Sequence, residues 1–190
     1  GTYTISASGF SISPSLIADN YRIVYENGVL KVDPAEIYVY AIDQGKVYGT
    51  RLSKEGELGV TYKIKGFVNG DESVTTLTVG ELNYSGGDDK YAKVGDYIMS
   101  VSGVSIMPKE IGDNYVIKYQ EGLLTVKPVS LTITTMDQSK VYGTEPKVEG
   151  VEGINYTVTG LVEGDVISSL MLNYGGGELL NAPVGTYKII

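Results

Sequence analysis

Cysteine, histidine and tryptophan are all absent from the 190 residues. Without cysteine the chain has no disulfide framework, no zinc–thiolate site and no thiol nucleophile. Without histidine it lacks the usual general base near neutral pH and the commonest ligand of transition metals, and a Ser-His-Asp triad is excluded. These absences argue against an enzyme. We therefore assign no catalytic residue, no cofactor and no metal ligand from the sequence.

Positive charge and long apolar runs are scarce as well. The chain has 15 Lys and Arg against 23 Asp and Glu, a formal net charge of −8. Without a basic stripe, nucleic-acid binding is not expected, and an anionic membrane surface would repel the chain. No apolar run reaches the roughly 18 residues of a membrane-spanning helix, so membrane insertion of this segment is not expected either.

The sequence repeats itself. DQGKVYGT at 43–50 returns as DQSKVYGT at 137–144, 94 positions later (137 − 43 = 94). Residues 95–128 match residues 1–34 at the same offset, with about half of the positions identical. An enzyme rarely needs two copies of a catalytic loop, whereas a stalk built of modules needs one copy in each module. The repeat therefore favours a modular protein.

The offset changes once within the repeat. LNYSGG at 82–87 returns as LNYGGG at 172–177, an offset of 90 instead of 94. The second copy therefore lacks four residues (94 − 90) between the positions of Asp71 and Leu82. Surface loops tolerate such deletions, so a loop or short helix end is expected there.

Two prolines suggest where one repeat ends. LKVDP and LTVKP each close a strand pattern with Pro, which has no N–H to give to a sheet. This phase makes 1–34 the C-terminal part of a repeat, 35–128 a complete repeat, and 129–190 the N-terminal part of a next repeat. The alternative phase divides the chain into 1–94 and 95–190. In the first phase, we hypothesise that the two partial repeats complement each other between molecules, end to end.

Alternating apolar and polar residues predict short strands in each repeat. Asp71, followed by Glu72, is a good N-cap for one short helix. Gln120–Gly122 and Asn27–Gly28 are typical of tight hairpins. We predict a mostly β protein of tandem small modules, β-grasp-like with one short helix per unit, and an immunoglobulin-like β-sandwich is the alternative. The predicted strands are 37–43, 60–67, 80–86 and 95–103, with two more in 114–128.

The repeated phrase is interpreted mainly as a structural motif. Asp43 can close its strand with a side-chain-to-backbone hydrogen bond, and Tyr48 can pack its ring on the end of the sheet. Gly49 is expected at positive φ. The whole motif set is Asp43, Lys46, Tyr48 and Gly49 with their counterparts Asp137, Lys140, Tyr142 and Gly143. The functional alternative is ligand contact through exposed tyrosines, for which the candidates are Tyr48, Tyr84, Tyr142 and Tyr174.

Two covalent or metal-based alternatives stay open from the sequence. Lys46 and Asn83 recur as Lys140 and Asn173, which allows an intramolecular Lys–Asn isopeptide bond. Asp71, Asp88 and Asp89 allow a weak Ca²⁺ site. Paired carboxylates of a glycosidase are not indicated, since neither Asp88–Asp89 nor the acidic residues of 163–166 recur as a pair in the other copy.

Several phrases in a fixed order resemble the MBG-type repeats, in their Tyr-Gly version, of bacterial surface proteins and adhesins. They are TITTMDQSKVYGT, YTVTGLVEGD, LNYGGG, VGTY and DNYVIKYQEGLLTVKP. The resemblance covers essentially the whole chain and implies a mostly β extracellular module found in tandem arrays, without catalytic residues. One departure is Arg51–Leu52, where the pattern has an acidic residue and Pro, as at Glu145–Pro146.

Together these features predict a non-enzymatic tandem-repeat module of a bacterial cell-surface protein, acting as a stalk or spacer and in adhesion. The expected location is extracellular. Expected partners are neighbouring repeats of the same protein and a host or matrix glycan or protein, because weak contacts in tandem gain from effective concentration. The alternative is a carbohydrate-binding module that uses exposed tyrosines.

Overall fold

The computed structural model describes residues 1–78 and 80–190. Most of the regular structure is β, as predicted, with one α-helical turn, α1 (Lys109–Gly112), and 3₁₀ turns at Ser15–Asn20 and Asp71–Ser73. Within the described residues no helix is long and apolar enough to cross a membrane. The strands are β1 (Thr2–Ile5), β2 (Gly28–Lys31), β3 (Ala35–Ala41), β4 (Gln44–Val47), β5 (Tyr62–Lys65), β6 (Thr76–Leu77), β7 (Glu81–Tyr84), β8 (Gly95–Ser102), β9 (Ile106–Met107), β10 (Tyr115–Gln120), β11 (Gly122–Lys127), β12 (Thr132–Thr135) and β13 (Tyr156–Thr159).

The chain divides into two compact units, and each is built from discontinuous segments. Unit 1 consists of Gly1–Ile42, Glu55–Asn83 and Ser100–Glu121, and unit 2 of Asp43–Lys54, Tyr84–Met99 and Gly122–Ile190. The boundaries fall inside the predicted complete repeat, since β7 and β8 each run from one unit into the other.

Unit 1 is built on a three-stranded sheet in the order β10-β3-β5. β3 lies parallel to β10 and antiparallel to β5. Side chains alternate between the faces of a strand, so Ile37 and Val39 point into the core while Tyr38 and Tyr40 lie on the other face. Ile37 packs in one cluster with Ile106 and Tyr115.

Unit 2 contains the strands that position the repeated phrase. β11 lies between β4, to which it is parallel, and β8, to which it is antiparallel. Leu124 and Val126 alternate toward the interior and are fully buried. β12 and β13 form a separate antiparallel pair in the same unit.

The predicted hairpin at Gln120–Gly122 is wrong. β10 and β11 follow one another directly but pair with different strands: β10 with β3, and β11 with β4 and β8. The same holds near Asn27–Gly28, because β2 pairs with β1. At Gln120–Gly122, long-range pairing that buries Leu124 outweighs the local preference for a turn.

The predicted helix start at Asp71 is only partly right. A single 3₁₀ turn does begin at Asp71, but Gly70 occupies the N-cap position at a φ of 77°, and no side chain caps the turn. The Asp71 carboxylate instead accepts a hydrogen bond from the Tyr115 hydroxyl at 2.7 Å. The α-helical turn α1 follows Pro108, in a stretch where no helix is predicted.

Two strand pairs of residues 35–128 recur in the other two segments of the chain. We call 35–128 the first copy, 129–190 the second copy and 1–34 the N-terminal fragment. In the N-terminal fragment Thr2 pairs with Lys31, just as Asp96 pairs with Thr125 in β8 and β11. β12 and β13 likewise pair in the register of β3 and β5, shifted by 94 residues. Equivalent sequences therefore form equivalent strand pairs in these two cases, whereas residues 21–26 and 138–141, the counterparts of β10 and β4, form no described strand.

Candidate functional site at the junction of two copies

The repeated phrase forms β4 and the turn that follows it. The Asp43 carboxylate accepts a hydrogen bond from the Leu123 backbone N–H at 2.8 Å, which fastens the start of β4 to β11. The bond joins a side chain to the backbone, as expected for Asp43, but its partner is in β11 and not in the strand that Asp43 follows. Gly49 has a φ of 93° and its counterpart Gly143 a φ of 89°, as predicted. Glycine reaches this region without steric cost, which explains its place in both copies.

Lys46 is the most buried charged side chain of the motif, with 7% of its surface exposed. Its ammonium group donates to the carbonyl oxygen of Thr50 at 2.7 Å and to that of Asp89. Burial lowers the pKa of Lys46, partly opposed by the nearby Asp89 and Asp88 carboxylates. The lysine thus ties the turn to a second loop of the same copy and is not presented to a ligand.

Lys140 makes the same pair of contacts in the second copy. Its ammonium group donates to the carbonyls of Thr144 at 2.9 Å and Leu179 at 2.5 Å, which are the positions of Thr50 and Asp89. The isopeptide alternative gains no support, because Lys46 binds backbone carbonyls and the Asn83 amide donates to the Ser102 hydroxyl at 2.9 Å.

Tyr48 connects the first copy to the second. Its hydroxyl donates to Asp165 Oδ1 at 3.0 Å, and this hydrogen bond to a carboxylate raises the pKa of Tyr48. Gly49, the next residue, lies against Val162: a Cβ added at Gly49 would come within 2.7 Å of Val162 Cγ2. The motif therefore needs glycine both for its backbone conformation and for the close approach of the second copy.

A second loop of the first copy strengthens the same contact. The Lys90 ammonium lies 3.3 Å from Glu163 Oε2, and the Tyr91 hydroxyl donates to the Glu163 carbonyl at 3.0 Å. The hydrogen bond to Glu163 raises the pKa of Lys90. We define the junction as Tyr48, Gly49, Lys90 and Tyr91 of the first copy, with Val162, Glu163 and Asp165 of the second.

Only some of the junction residues could be identified from the sequence. Tyr48 is a motif residue, but Lys90 and Tyr91 are replaced by Leu180 and Asn181 at the offset of 90, and Glu163 corresponds to Asn69 at the offset of 94. A search for recurring residues therefore misses them. The signal that does recur is Asp71 and Asp165, each at the end of a GD pair: Asp71 binds Tyr115 through Oδ2, and Asp165 binds Tyr48 through Oδ1.

The remaining candidate tyrosines do not form one exposed platform. The hydroxyls of Tyr84 and Tyr174 donate to the carbonyls of Ser53 at 3.1 Å and Lys147 at 2.8 Å, equivalent contacts in the two copies. Tyr142 differs from them because 64% of its surface is exposed. Tyr142, Tyr174 and Asp137 line a groove in the second copy, whose volume is about 660 Å³.

The candidate Ca²⁺ residues are engaged in other contacts. Asp89 accepts the Tyr91 backbone N–H at 3.0 Å and lies 2.7 Å from the Arg51 guanidinium, and both contacts lower the pKa of Asp89. Asp71 binds Tyr115. Within residues 1–78 and 80–190 no group of three or more acidic side chains could hold a metal ion.

The Tyr48–Asp165 hydrogen bond can be tested by a double-mutant cycle. We expect Tyr48→Phe and Asp165→Asn each to lower the urea midpoint of unfolding, and the double variant to lose less than the sum, because both changes remove the same bond. Tyr142→Phe is the matched control and should be neutral, since that ring is exposed. Additive effects of the two changes would show that the bond contributes nothing.

The fold and the junction define a class: a mostly β protein of tandem repeats whose shared motif serves contacts inside and between the repeats. Residues 37–125 and 131–190 match the MBG domain (YGX type) family. The chain belongs to this family. No curated protein and no solved structure matches it.

Proposed function

We propose that this chain is a non-enzymatic tandem-repeat module of a bacterial cell-surface protein, acting as a spacer. The observation that supports the proposal most is the junction. The side chains that a ligand-binding or catalytic motif would present are here engaged in holding one repeat against the next: Tyr48 on Asp165, and Lys90 and Tyr91 on Glu163.

The proposed setting is extracellular, where the family membership and the composition fit together. A chain without cysteine has no thiol that an oxidising environment could convert to a disulfide. A net charge of −8 favours solubility of a surface protein. The primary partners are neighbouring repeats of the same protein. Adhesion to a host or matrix glycan or protein is a further proposed role, in which weak contacts gain strength from repetition.

The spacer role can be tested by the distance distribution between two spin labels. Lys93→Cys in the first copy and Thr157→Cys in the second place labels at exposed positions, and the absence of native cysteine makes the labelling unique. A narrow distribution that broadens when Asp165→Asn and Glu163→Gln are combined is the expected result. A distribution that is already broad in the unchanged chain would contradict the spacer role, because a loose junction cannot hold a fixed separation.

Carbohydrate binding is the alternative, and only Tyr142 among its four candidate tyrosines keeps a mostly exposed ring. If it operates, binding to a glycan panel must fall when Tyr142 is changed to Ala and stay constant when Tyr48 is changed to Phe. Equal binding by the chain and by Tyr142→Ala would dismiss this site.

A further inference from the structure

The outer face of the three-stranded sheet β10-β3-β5 carries tyrosines and lysines in a regular arrangement. Residues paired across neighbouring strands point to the same face of a sheet, so the register shows which side chains are neighbours. Tyr38 of β3 lies between Lys65 of β5 and Lys118 of β10. Tyr40, two residues further along β3, lies beside Lys63 of β5. We call these five residues, all of which belong to the first copy, the lysine–tyrosine face.

The two tyrosine rings are held by neighbours on this face. The Tyr38 hydroxyl donates to Glu36 Oε2 at 2.5 Å, which directs the ring along the strand. The centres of the Tyr38 and Tyr40 rings lie 6.2 Å apart, and the angle between their planes is 29°. The Lys63 ammonium lies 5.8 Å from the centre of the Tyr40 ring, within the range of a cation–π interaction. The face therefore presents a nearly parallel pair of rings with lysine side chains beside them.

The charge of this face is opposite to that of the whole chain. Lys63, Lys65 and Lys118 are exposed, whereas both tyrosines are half-buried. Together with the Glu36 carboxylate, the three ammonium groups give a formal charge of +2 (3 − 1), while the net charge of the chain is −8. A positive patch on an acidic protein attracts an anionic partner to that patch and not to the rest of the surface.

The second copy shows that the fold does not require these side chains. β12 and β13 pair in the register of β3 and β5, and the four equivalent positions are all threonine. Thr132 and Thr134 replace the tyrosines, and Thr157 and Thr159 replace the lysines of β5. Lysine also protects outer strands from edge-to-edge pairing, but β13 is an outer strand as well and has threonine there. The lysines and tyrosines are thus a property of the first copy and not of the module.

We propose that the lysine–tyrosine face binds a carboxylated polysaccharide, a polymer whose sugar rings carry carboxylate groups. The lysines of β5 and β10 bind carboxylates on the two sides of β3, and Tyr38 and Tyr40 pack against the sugar rings between them. An open sheet face accommodates an extended polymer without a deep pocket. The proposal rests on the adhesive part of the proposed function, whose ligand class it specifies, and it is independent of the spacer role.

Two features favour this ligand over other anions. The core of an interface with an acidic protein is depleted of charge, whereas the cross-strand neighbours of the tyrosines here include three lysines. A densely sulfated polymer would meet the Glu36 carboxylate as well as the lysines, because Glu36 lies beside Tyr38 on the same face. A sugar acid with one carboxylate per ring matches the small positive charge of the face and offers a ring to each tyrosine.

The decisive test is isothermal titration calorimetry of the 190-residue chain with an oligogalacturonate, a soluble carboxylated oligosaccharide. Two ligand controls separate the chemistry. The fully methyl-esterified oligosaccharide keeps the rings and removes the charges, and polyglutamate keeps the charges without the rings. We expect the oligogalacturonate to bind more tightly than either control. Its binding should weaken as the salt concentration rises, because salt screens ion pairs between exposed groups.

The variants replace residues of this face with those of the second copy, which the sheet accepts. Lys63→Thr with Lys65→Thr gives β5 the outward side chains of β13 and should weaken oligogalacturonate binding at least about five-fold. Tyr38→Thr with Tyr40→Thr gives β3 those of β12, with a loss of about five-fold or more. The tyrosine variant should leave the weaker binding of polyglutamate unchanged, because polyglutamate has no ring to pack on the tyrosines.

The charge-matched control is Lys93→Thr with Lys147→Thr, at exposed positions outside this sheet, for which an effect below about two-fold is expected. Absence of oligogalacturonate binding at about 1 mM overturns the proposal. So does an equal loss in the control and in the β5 variant, or equally tight binding of the methyl ester. Polyglutamate binding as tight as that of the oligogalacturonate would assign the face to an acidic protein instead. Loss of binding in Tyr142→Ala would move the polysaccharide to the groove of the second copy.

The spacer role is judged by a different measurement. A chain that binds no oligogalacturonate but keeps its narrow spin-label distribution loses the present proposal and retains the spacer role. A chain with a broad distribution that still binds through the lysine–tyrosine face shows the reverse, because the residues of this face take no part in the junction contacts of Tyr48, Lys90 and Tyr91.

Discussion

Replacing Leu124 with alanine is expected to lower the free energy of unfolding by about 3 kcal/mol. Leu124 is fully buried in β11, between β4 and β8, and packs on Gly87. Removing its branched end deletes apolar contacts and leaves a cavity that the neighbouring strands cannot fully close. Since small domains are stable by only about 5–15 kcal/mol, this single change should shift the urea midpoint strongly.

The chain supplies its own control for this measurement. Leu30 has the same place in the N-terminal fragment but is half exposed, so Leu30→Ala should change the unfolding free energy of the dilute chain by less than about 0.5 kcal/mol. Equal losses of unfolding free energy at both positions would mean that the contribution of Leu124 to stability does not arise from its burial. A loss at Leu124 alone would show that the first copy contributes more to the stability of the molecule than the N-terminal fragment does.

The fold could be predicted from the sequence where it depends on local periodicity, but not where it depends on pairing between distant strands. Alternation predicts β3, β5 and β8 because side-chain periodicity is a local property. Pairing is not local. β11 pairs in parallel with β4, some 80 residues earlier (124 − 44 = 80), and nothing in the segment around Gln120–Gly122 reveals that choice. The glycine in this segment therefore predicted a hairpin. In the structure Tyr115 is buried in unit 1 and Leu124 in unit 2, so β10 and β11 do not pair with each other.

The candidate site was predictable only where it repeats. The positive φ of Gly49 belongs to its own turn, so it could be predicted from the residue type. The partner of Asp43 lies 80 residues away, at the Leu123 N–H, and could not be predicted in this way. Lys90 and Glu163 contact each other across the two copies, and neither recurs at the equivalent position. Their pairing requires the loop that contains Lys90 to lie against the loop that contains Glu163, and the sequence of neither loop predicts this contact.

The motif itself carries two different kinds of constraint. Lys46 and Lys140 make equivalent bonds inside their own copies, so the lysine serves the fold of each repeat. Tyr48 contacts Asp165 of the following copy, so the tyrosine serves the assembly of repeats. One eight-residue phrase thus contains both a lysine that stabilises the module and a tyrosine that connects modules. In the first copy this division gives both residues a structural role without invoking a ligand.

Replacing Lys46 with methionine tests the first of these roles and is expected to lower the free energy of unfolding by about 2 kcal/mol. Methionine preserves most of the length of the buried stem, so the loss arises from the carbonyls of Thr50 and Asp89, which lose a charged donor. The burial that lowers the pKa of Lys46 reduces the net loss, because the ammonium group itself gives up hydration in the folded state.

Lys140→Met is the matched control for Lys46→Met, because the contacts are the same and the lysine is less buried. Water can replace the ammonium group there, and the expected loss is below about 1 kcal/mol. Urea denaturation of the two variants compares one side chain in two surroundings within one chain. If Lys46→Met lowered the free energy of unfolding no more than Lys140→Met, the hydrogen bonds inside each repeat would not explain why the motif contains lysine. Lys46→Arg should be nearly as destabilising as Lys46→Met. A planar guanidinium does not fit a site shaped for a compact ammonium between two carbonyls.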